Sequence, residues 1–237
     1  MYLKNYNLKN KVAVVTGAGK GLGKACAIAL AEAGANLIII SRTQKDLNQV
    51  SKIIKKFRVK CTSYVCDVTN YHEIKSIINK VKRIDVLINN AGFLVNKSFE
   101  DTTLDDFHNI YSTNVFSVAM LIKRTIKYMH EGSNVINISS IGGVQGSVKF
   151  PGLSAYSSSK GALNILTEML AEEYKEKKVH FNSLALGSVQ TKMLEKAFPG
   201  FKASTSSENM AKYIYNFATE GYKLMNGKVV SISSTTP

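Results

Sequence analysis

Tyr156 and Lys160 lie four residues apart in a helical stretch, a spacing that puts both side chains on one face. A tyrosine hydroxyl, with an ordinary pKa of about 10, is a poor base at neutral pH. A nearby ammonium favours the phenolate and lowers that pKa, so the pair is suited to proton transfer. Spacing alone does not discriminate, because Y-x-x-x-K recurs at Tyr71/Lys75 and Tyr174/Lys178. Those two pairs lie in lysine-rich helical segments and read as solvated faces. Tyr156 differs in context: it opens its helix just after a loop containing Gly and Pro, and a strand ending Ser139-Ser140 precedes that loop.

A second stretch is suited to holding an anion. Thr16-Gly17-Ala18-Gly19-Lys20-Gly21-Leu22-Gly23 follows the apolar run Val12–Val15 and opens a helical pattern. Strand, glycine turn and helix in that order form a phosphate cradle. The glycines let backbone N–H groups approach a pyrophosphate, and the helix N-terminus favours its negative charge. The second strand ends Ile38-Ile39-Ile40-Ser41-Arg42. Where an acid would bind the ribose 2′-hydroxyl of NAD, Arg42 stands instead, and Lys20 lies within the glycine turn. Two cations there suit a 2′-phosphate; the other reading is two surface cations in a lysine-rich chain. NADP(H) is expected over NAD(H).

These groups need a scaffold. The 237 residues, 45% hydrophobic, suffice for one α/β domain with a large core. Strand-like runs fall at about 12–16, 36–40, 61–65, 84–89, 134–139, 180–186 and 228–232. They alternate with helical patterns at about 21–33, 45–57, 71–81, 104–129, 155–176 and 207–220. The alternation predicts a single doubly wound, Rossmann-type α/β domain over 1–237, with a mostly parallel seven-stranded sheet and helices on both faces. A ligand should lie at the carboxyl ends of the strands. Residues 190–206 show no clear periodicity and read as a substrate loop, a mobile lid.

The net charge is +14, from 31 Lys and Arg against 17 Asp and Glu. Nucleic acid, an anionic membrane or anionic ligands each match such a balance. The lysines are dispersed, however. Their densest groups (Lys52, Lys55, Lys56, Arg58, Lys60 and Lys175, Lys177, Lys178) fall on or near helical patterns, as on a solvated basic surface. No basic face interleaved with aromatics is evident, which argues against a nucleic-acid module. No run nears the roughly 18 apolar residues of a membrane span. Met1–Lys11 is polar, with no apolar signal core behind it. A cytoplasmic protein with no membrane partner is expected. Cys26, Cys61 and Cys66 form no C-x-x-C pair, and His72, His108, His130 and His180 show no H-E-x-x-H spacing. Neither a metal site nor a disulfide framework is expected.

Over nearly its whole length the chain resembles the short-chain dehydrogenase/reductase family. The matching pieces, in order, are T-G-A-G-K-G-L-G at 16–23, Cys66-Asp67-Val68, Asn89-Asn90-Ala91-Gly92, Asn114, Ile138-Ser139-Ser140 and Tyr156-Ser157-Ser158-Ser159-Lys160. Each is weak alone; their order and spacing together are specific. The resemblance implies an NADPH-dependent oxidoreductase that reduces a carbonyl to an alcohol by hydride transfer, with 3-oxoacyl-carrier-protein reductases a broad comparison. It implies Tyr156 as general acid. It implies that Lys160 binds the nicotinamide ribose and lowers the Tyr156 pKa, that Ser140 hydrogen-bonds the carbonyl oxygen, and that Asn114 holds a water linking Lys160 to solvent. Gly17, Gly19, Lys20, Gly21, Leu22, Gly23, Ser41 and Arg42 would bind the nucleotide, with Asp67 and Val68 at the adenine. Asn90, Ala91 and Gly92 would line the adenosine ribose and brace the central strands. Gly187, Val189 and Thr191 would complete the cofactor site. Plainer readings stand beside three of these: Asn114 as cap of a kinked helix, Ser139 rather than Ser140 facing the substrate, and Asp67 as a turn or cap residue.

The chain departs from the family pattern in three places. Sixteen residues separate Ser140 from Tyr156 where thirteen are usual, and the extra ones fall in Gly142–Gly152, where they should reshape the pocket. Leu186-Gly187 replaces the usual Pro-Gly, loosening the backbone ahead of Val189 and Thr191. Ser-Ser-Thr-Thr-Pro replaces the usual Asp-Gly-Gly ending. The expected partner is a small-molecule carbonyl or alcohol. An acyl thioester on an acidic carrier protein is one option, given the basic surface. A non-catalytic dinucleotide-binding regulator is an alternative, against which the complete Ser140, Tyr156, Lys160 set argues. The resemblance implies a homodimer or homotetramer, with the helical patterns at 104–129 and 155–176 as contact surfaces.

Overall fold

A computed structural model describes residues 8–233. The first seven residues and the Ser-Thr-Thr-Pro ending, on which two expectations above rest, lie outside them. The chain runs β1 (Val12–Thr16), α1 (Gly21–Glu32), β2 (Asn36–Ser41), α2 (Gln44–Ile54), β3 (Cys61–Val65), α3 (Tyr71–Ile78), β4 (Val86–Asn89), α4 (Leu104–Tyr111) and α5 (Ser117–Thr125). It continues through β5 (Asn134–Ser140), α6 (Ser154–Glu173), β6 (His180–Leu186), β7 (Val189–Gln190), α7 (Lys192–Ala197), β8 (Thr205–Ser206), α8 (Ser207–Thr219) and β9 (Lys228–Ile232).

Seven strands form one parallel sheet in the order β3-β2-β1-β4-β5-β6-β9. Successive residues of a strand point to opposite faces, and here both faces are covered. Ala13, Val15, Leu37, Ile39, Val86 and Ile88 are buried with the apolar sides of α1, α2 and α8. The intervening Val14, Ile40 and Leu87 are buried with α3, α5 and α6. This explains why the strands read as unbroken apolar runs. The strand order reverses between β1 and β4, which opens a crevice at their carboxyl ends.

The sequence and the structure part at three places. The helical pattern at 104–129 is broken by a π turn, Ser112–Phe116, that carries Asn114. Helix α6 stops at Glu173, and Lys178 is left-handed at φ 52°. Tyr174 and Lys178 therefore share no helix face, and Tyr174 stacks on Phe181 instead, 5.7 Å between ring centres. Tyr71 and Lys75 are both exposed. Finally, residues 190–206 are not a plain loop. Thr191 caps α7 by accepting from Leu194 N at 3.2 Å, and β7 pairs with β8. A six-residue helix between two-residue strands is too short to show a hydrophobic period.

Candidate active site

Tyr156 and Lys160 stand one turn apart near the start of α6. Lys160 is buried; its Nζ donates to the Ile138 carbonyl at 2.8 Å and lies 5.7 Å from the Tyr156 ring centre. Ser140 stands beside the Tyr156 hydroxyl, near enough to lower its pKa. Ser139 turns away, its Oγ donating to the Lys160 carbonyl at 3.4 Å. Of the two serines at the end of β5, Ser140 is the one that meets Tyr156.

Burial dominates the protonation of this pair. It pushes the Tyr156 hydroxyl up to about 12, against the lowering effect of the neighbouring Ser140. Burial also pushes the Lys160 amine down to about 8. The expected lowering of the tyrosine by the ammonium is therefore not found. The lysine is buried, the tyrosine half-buried, and the amine is aimed at a backbone carbonyl. A tyrosine held this way is protonated at neutral pH, the state of a proton donor rather than a base.

The longer spacing from Ser140 to Tyr156 is absorbed by glycine. A Cβ on Gly142 would stand 2.8 Å from Ser157 Oγ, and one on Gly143 would stand 2.6 Å from the Lys160 carbonyl carbon. Their absence lets the turn after Ser140 lie directly on α6. The remaining residues project outward, leaving Val148, Lys149 and Phe150 exposed.

Asn114 is fully buried and has its amide protons engaged. Its Oδ1 accepts from Phe93 N at 2.8 Å, and its Nδ2 donates to Phe93 O and Ser159 Oγ, both at 3.0 Å. Ser159 Oγ in turn donates to the Tyr156 carbonyl at 2.7 Å. Asn114 thus ties the segment after β4 to the first turn of α6 from a π turn, a helix irregularity frequent at functional sites. It does not cap a helix end.

The glycine turn opens onto the same crevice. Gly17 and Gly21 have φ of 65° and 50°, which favour glycine. A Cβ on Gly23 would overlap the Gly17 carbonyl oxygen and Asn90 Nδ2, so this residue sets how closely α1 approaches β1. At the start of α1, Lys20 makes no side-chain cap and the first turn holds no acid. The positive end of the helix is uncompensated, which fits an anion such as a pyrophosphate. Leu22 is buried on the inner side of this turn. Asn90 and Ala91 donate their N–H groups to Thr16 Oγ1, each at 3.1 Å, and Asn90 Nδ2 donates to Thr16 O at 3.0 Å. Gly92 completes the link to α6: a Cβ there would stand 3.5 Å from Asn114 Oδ1 and 4.0 Å from Lys160 Nζ.

The two cations have carboxylate neighbours. Lys20 Nζ lies 2.9 Å from Asp46, and Arg42 lies 3.7 Å from Asp67. Ser41 Oγ would stand 2.7 Å from a Cβ on Gly19. Asp67 Oδ1 also accepts from Thr69 N and Oγ1, at 2.9 and 2.8 Å, so its turn role is real, and Val68 is buried beside it. Gly187 N donates to Ile232 O at 2.8 Å, which fixes the backbone that lacks the usual proline. Val189 is buried in β7, and Thr191 lies near the glycine turn, its Cγ2 3.4 Å from where a Gly21 Cβ would be.

Two features escape a reading of the sequence. A buried polar line joins Asn89 Nδ2 to Asn137 Oδ1 (2.8 Å), Asn137 Nδ2 to Thr167 Oγ1 (2.9 Å) and Thr167 to Ser183 (3.1 Å) across β4, β5, α6 and β6. Its only sequence signal is asparagine inside otherwise apolar strands. Asn96 is the other, with its Nδ2 donating to the Ala197 carbonyl at 2.8 Å. No local pattern signals a bond between residues so far apart in the chain.

Comparison with known proteins agrees with this geometry. Residues 11–200 match the family model described as short chain dehydrogenase. The chain is 32% identical over 190 residues to carbonyl reductase [NADPH] 2 of Sus scrofa, covering 79% of this chain and 75% of that protein. It is 28% identical over 241 residues to 3-oxoacyl-[acyl-carrier-protein] reductase FabG of Thermotoga maritima, covering 95% and 97%. A crystal structure of a short chain dehydrogenase from Burkholderia cenocepacia in complex with NADP superposes with a TM-score of 0.87 at 24% identity, covering 96% and 98%. Matched over most of its length and folded in the same way, the chain belongs to the short-chain dehydrogenase/reductase family of oxidoreductases, whose members bind a nicotinamide dinucleotide.

Proposed function

We propose that this chain is an NADPH-dependent carbonyl reductase in which Tyr156 donates the proton to the carbonyl oxygen. One observation carries the proposal: a protonated tyrosine beside Ser140, with a buried lysine one helical turn on. Bound NADPH would supply the hydride. Gly17, Gly19, Gly21, Leu22 and Gly23 would hold its pyrophosphate, and Lys20, Ser41 and Arg42 its 2′-phosphate. Asp67 and Val68 would meet the adenine, and Asn90, Ala91 and Gly92 the neighbouring ribose. Gly187, Val189 and Thr191 would hold the carboxamide side. The protein's own groups handle the proton. Ser140 orients the carbonyl oxygen toward the Tyr156 hydroxyl. As that proton leaves, the charge on Lys160, whose Nζ lies 5.7 Å from the ring centre, would stabilise the tyrosinate. Asn114 keeps Phe93 and the first turn of α6 in register while this happens.

Arg42 and Lys20 support NADPH over NADH, as do the NADP in the Burkholderia cenocepacia structure and the name of the Sus scrofa relative. The chain has no Trp, so a titration can follow the nucleotide's own fluorescence. Tight NADPH and weak NADH binding is the expected result; a preference for NADH reverses the cofactor assignment.

A 3-oxoacyl thioester on a carrier protein is the more specific reading of the substrate. It is supported by the Thermotoga maritima relative and by a surface charge of +14 that suits an acidic carrier. Turnover of acetoacetyl thioesters against free ketones separates the two. Residues 190–206 would cover the substrate, since this segment begins beside Gly21 and exposes Met193 and Phe201. We infer a homodimer or homotetramer through α5 and α6. Phe116 and Met120 are exposed four residues apart, as are Ile165 and Met169, which forms apolar stripes at helical spacing. Among the described residues no helix is long and apolar enough to cross a membrane, and three free cysteines support a reducing compartment, the cytoplasm.

A further inference from the structure

We propose that Asn96 is a positioning residue that latches α7 to the loop leading into Tyr156, and so holds residues 190–206 over the reaction site. The proposal rests on the reading above that this segment covers the substrate.

Helix α7 has six residues and buries none of them. Little apolar contact holds it, so its position depends on polar tethers. At its start these are local: Thr191 caps Leu194 N, and Gln190 Nε2 donates to Glu195 at 2.8 Å. At its end the tether is remote. The last carbonyls of a helix have no partner within the helix. The one at Ala197 is taken by Asn96 Nδ2 at 2.8 Å, from the segment that follows β4.

The other side of the same amide faces the turn that leads into α6. A Cβ on Gly152 would overlap Asn96 Oδ1, so that oxygen lies against the bare Cα of Gly152. Lys97 N donates to the Gly152 carbonyl at 3.1 Å, and Gly152 has a φ of 84°. Gly152 precedes Tyr156 by four residues. One side chain thus touches both the last turn of α7 and the loop that delivers Tyr156. The segment bearing Asn96 is itself anchored, three residues earlier, by the two bonds from Asn114 to Phe93. When the bond from Asn96 to Ala197 breaks, α7 is free to swing away; when it forms, α7 is fixed relative to Tyr156.

The test is hydrogen–deuterium exchange of the cofactor-free protein, alongside steady-state kinetics with NADPH and a carbonyl substrate. Variants are Asn96→Ala, which removes the tether, and Asn96→Asp, which keeps its size but sets a carboxylate oxygen against the Ala197 carbonyl. Loss of one such bond should speed exchange of the α7 amides about three- to tenfold. Exchange in β5 and α6 should not change. The KM of the carbonyl substrate should rise severalfold more than kcat falls. Gly152→Ala should have the same effect by evicting Asn96, and Asn96→Ala/Gly152→Ala should exchange no faster at α7 than Gly152→Ala alone. Unchanged α7 exchange in both Asn96 variants overturns the latch. So does a rise spread evenly over the fold, which marks a general stabiliser. Faster exchange confined to α7 in the Asn96 variants, with a wild type that reduces no carbonyl, supports the latch and rejects the reductase reading, so the two failures remain distinct.

Discussion

Lys160 Nζ donates to the Ile138 carbonyl at 2.8 Å, so a buried amine is solvated by the strand that carries Ser140 and not by a carboxylate. Such a cation is held against its own preference for water. Burial lowers it from its ordinary 10.5 to about 8. Between those values the unfolded chain keeps the proton that the folded chain has released, so stability rises with pH there. Below about pH 8 both states are charged and the full penalty applies, roughly 3 kcal/mol. Lys160→Met should therefore melt at a higher temperature than the wild type at neutral pH while losing turnover. Its advantage should shrink when the scan is repeated well above pH 8. A variant no more stable than the wild type contradicts this picture.

The same amine sets the pH dependence of the reaction. Tyr156, pushed up to about 12, stays protonated across the working range, whereas Lys160 loses its charge near 8. The kcat/KM for carbonyl reduction should be level near neutrality and decline above about pH 8. A profile that stays level well beyond that point would remove Lys160 from the proton transfer.

Arg42 sits 3.7 Å from Asp67 in an exposed pair, loose enough for a phosphate to compete. Arg42→Ala should weaken NADPH roughly 10- to 100-fold, the range of a lost charge-assisted contact, and barely change NADH. Fluorescence titration reads both. Equal losses for the two nucleotides would count against the 2′-phosphate assignment.

Removing Asn114 leaves Phe93 N–H, Phe93 C=O and Ser159 Oγ short of a partner inside the protein. Asn114→Ala should cost roughly 2–4 kcal/mol of stability in a urea titration, a figure set by unpaired buried groups. It should also lower kcat, because Ser159 is bonded to the backbone of Tyr156. A fully stable variant would show that water replaces the side chain without loss.

If α5 and α6 form the subunit contact, a charge on their apolar stripe should break it. Ile165→Glu, at a residue 61% exposed in the single chain, should shift light-scattering mass toward the monomer with little change in circular dichroism. An unchanged mass would place the contact elsewhere.

The sheet was legible because its central strands are buried on both faces, which writes an unbroken apolar run such as Val12–Val15 or Leu37–Ile40. The glycine turn was legible because close backbone approach and positive φ admit little else at Gly17 and Gly23. Ser140 could not be separated from Ser139 by sequence, since adjacent strand residues differ only in the face they point to, and only the packing of α6 decides which serine meets Tyr156. The direction of the tyrosine's pKa shift was not legible, though its role as proton donor was expected. Sequence spacing shows the neighbouring ammonium but not the loss of water that outweighs it. Asn96 and α7 stayed hidden because their partners are about a hundred residues away in the chain, where no local period records a contact.

The most direct test of the central claim is single-turnover oxidation of bound NADPH by a carbonyl substrate, in the wild type and in Tyr156→Phe. The account predicts that the variant binds NADPH about as tightly as the wild type and transfers hydride at least roughly a hundredfold more slowly, the contribution expected of a positioned general acid. Hydride transfer by Tyr156→Phe near the wild-type rate would contradict it.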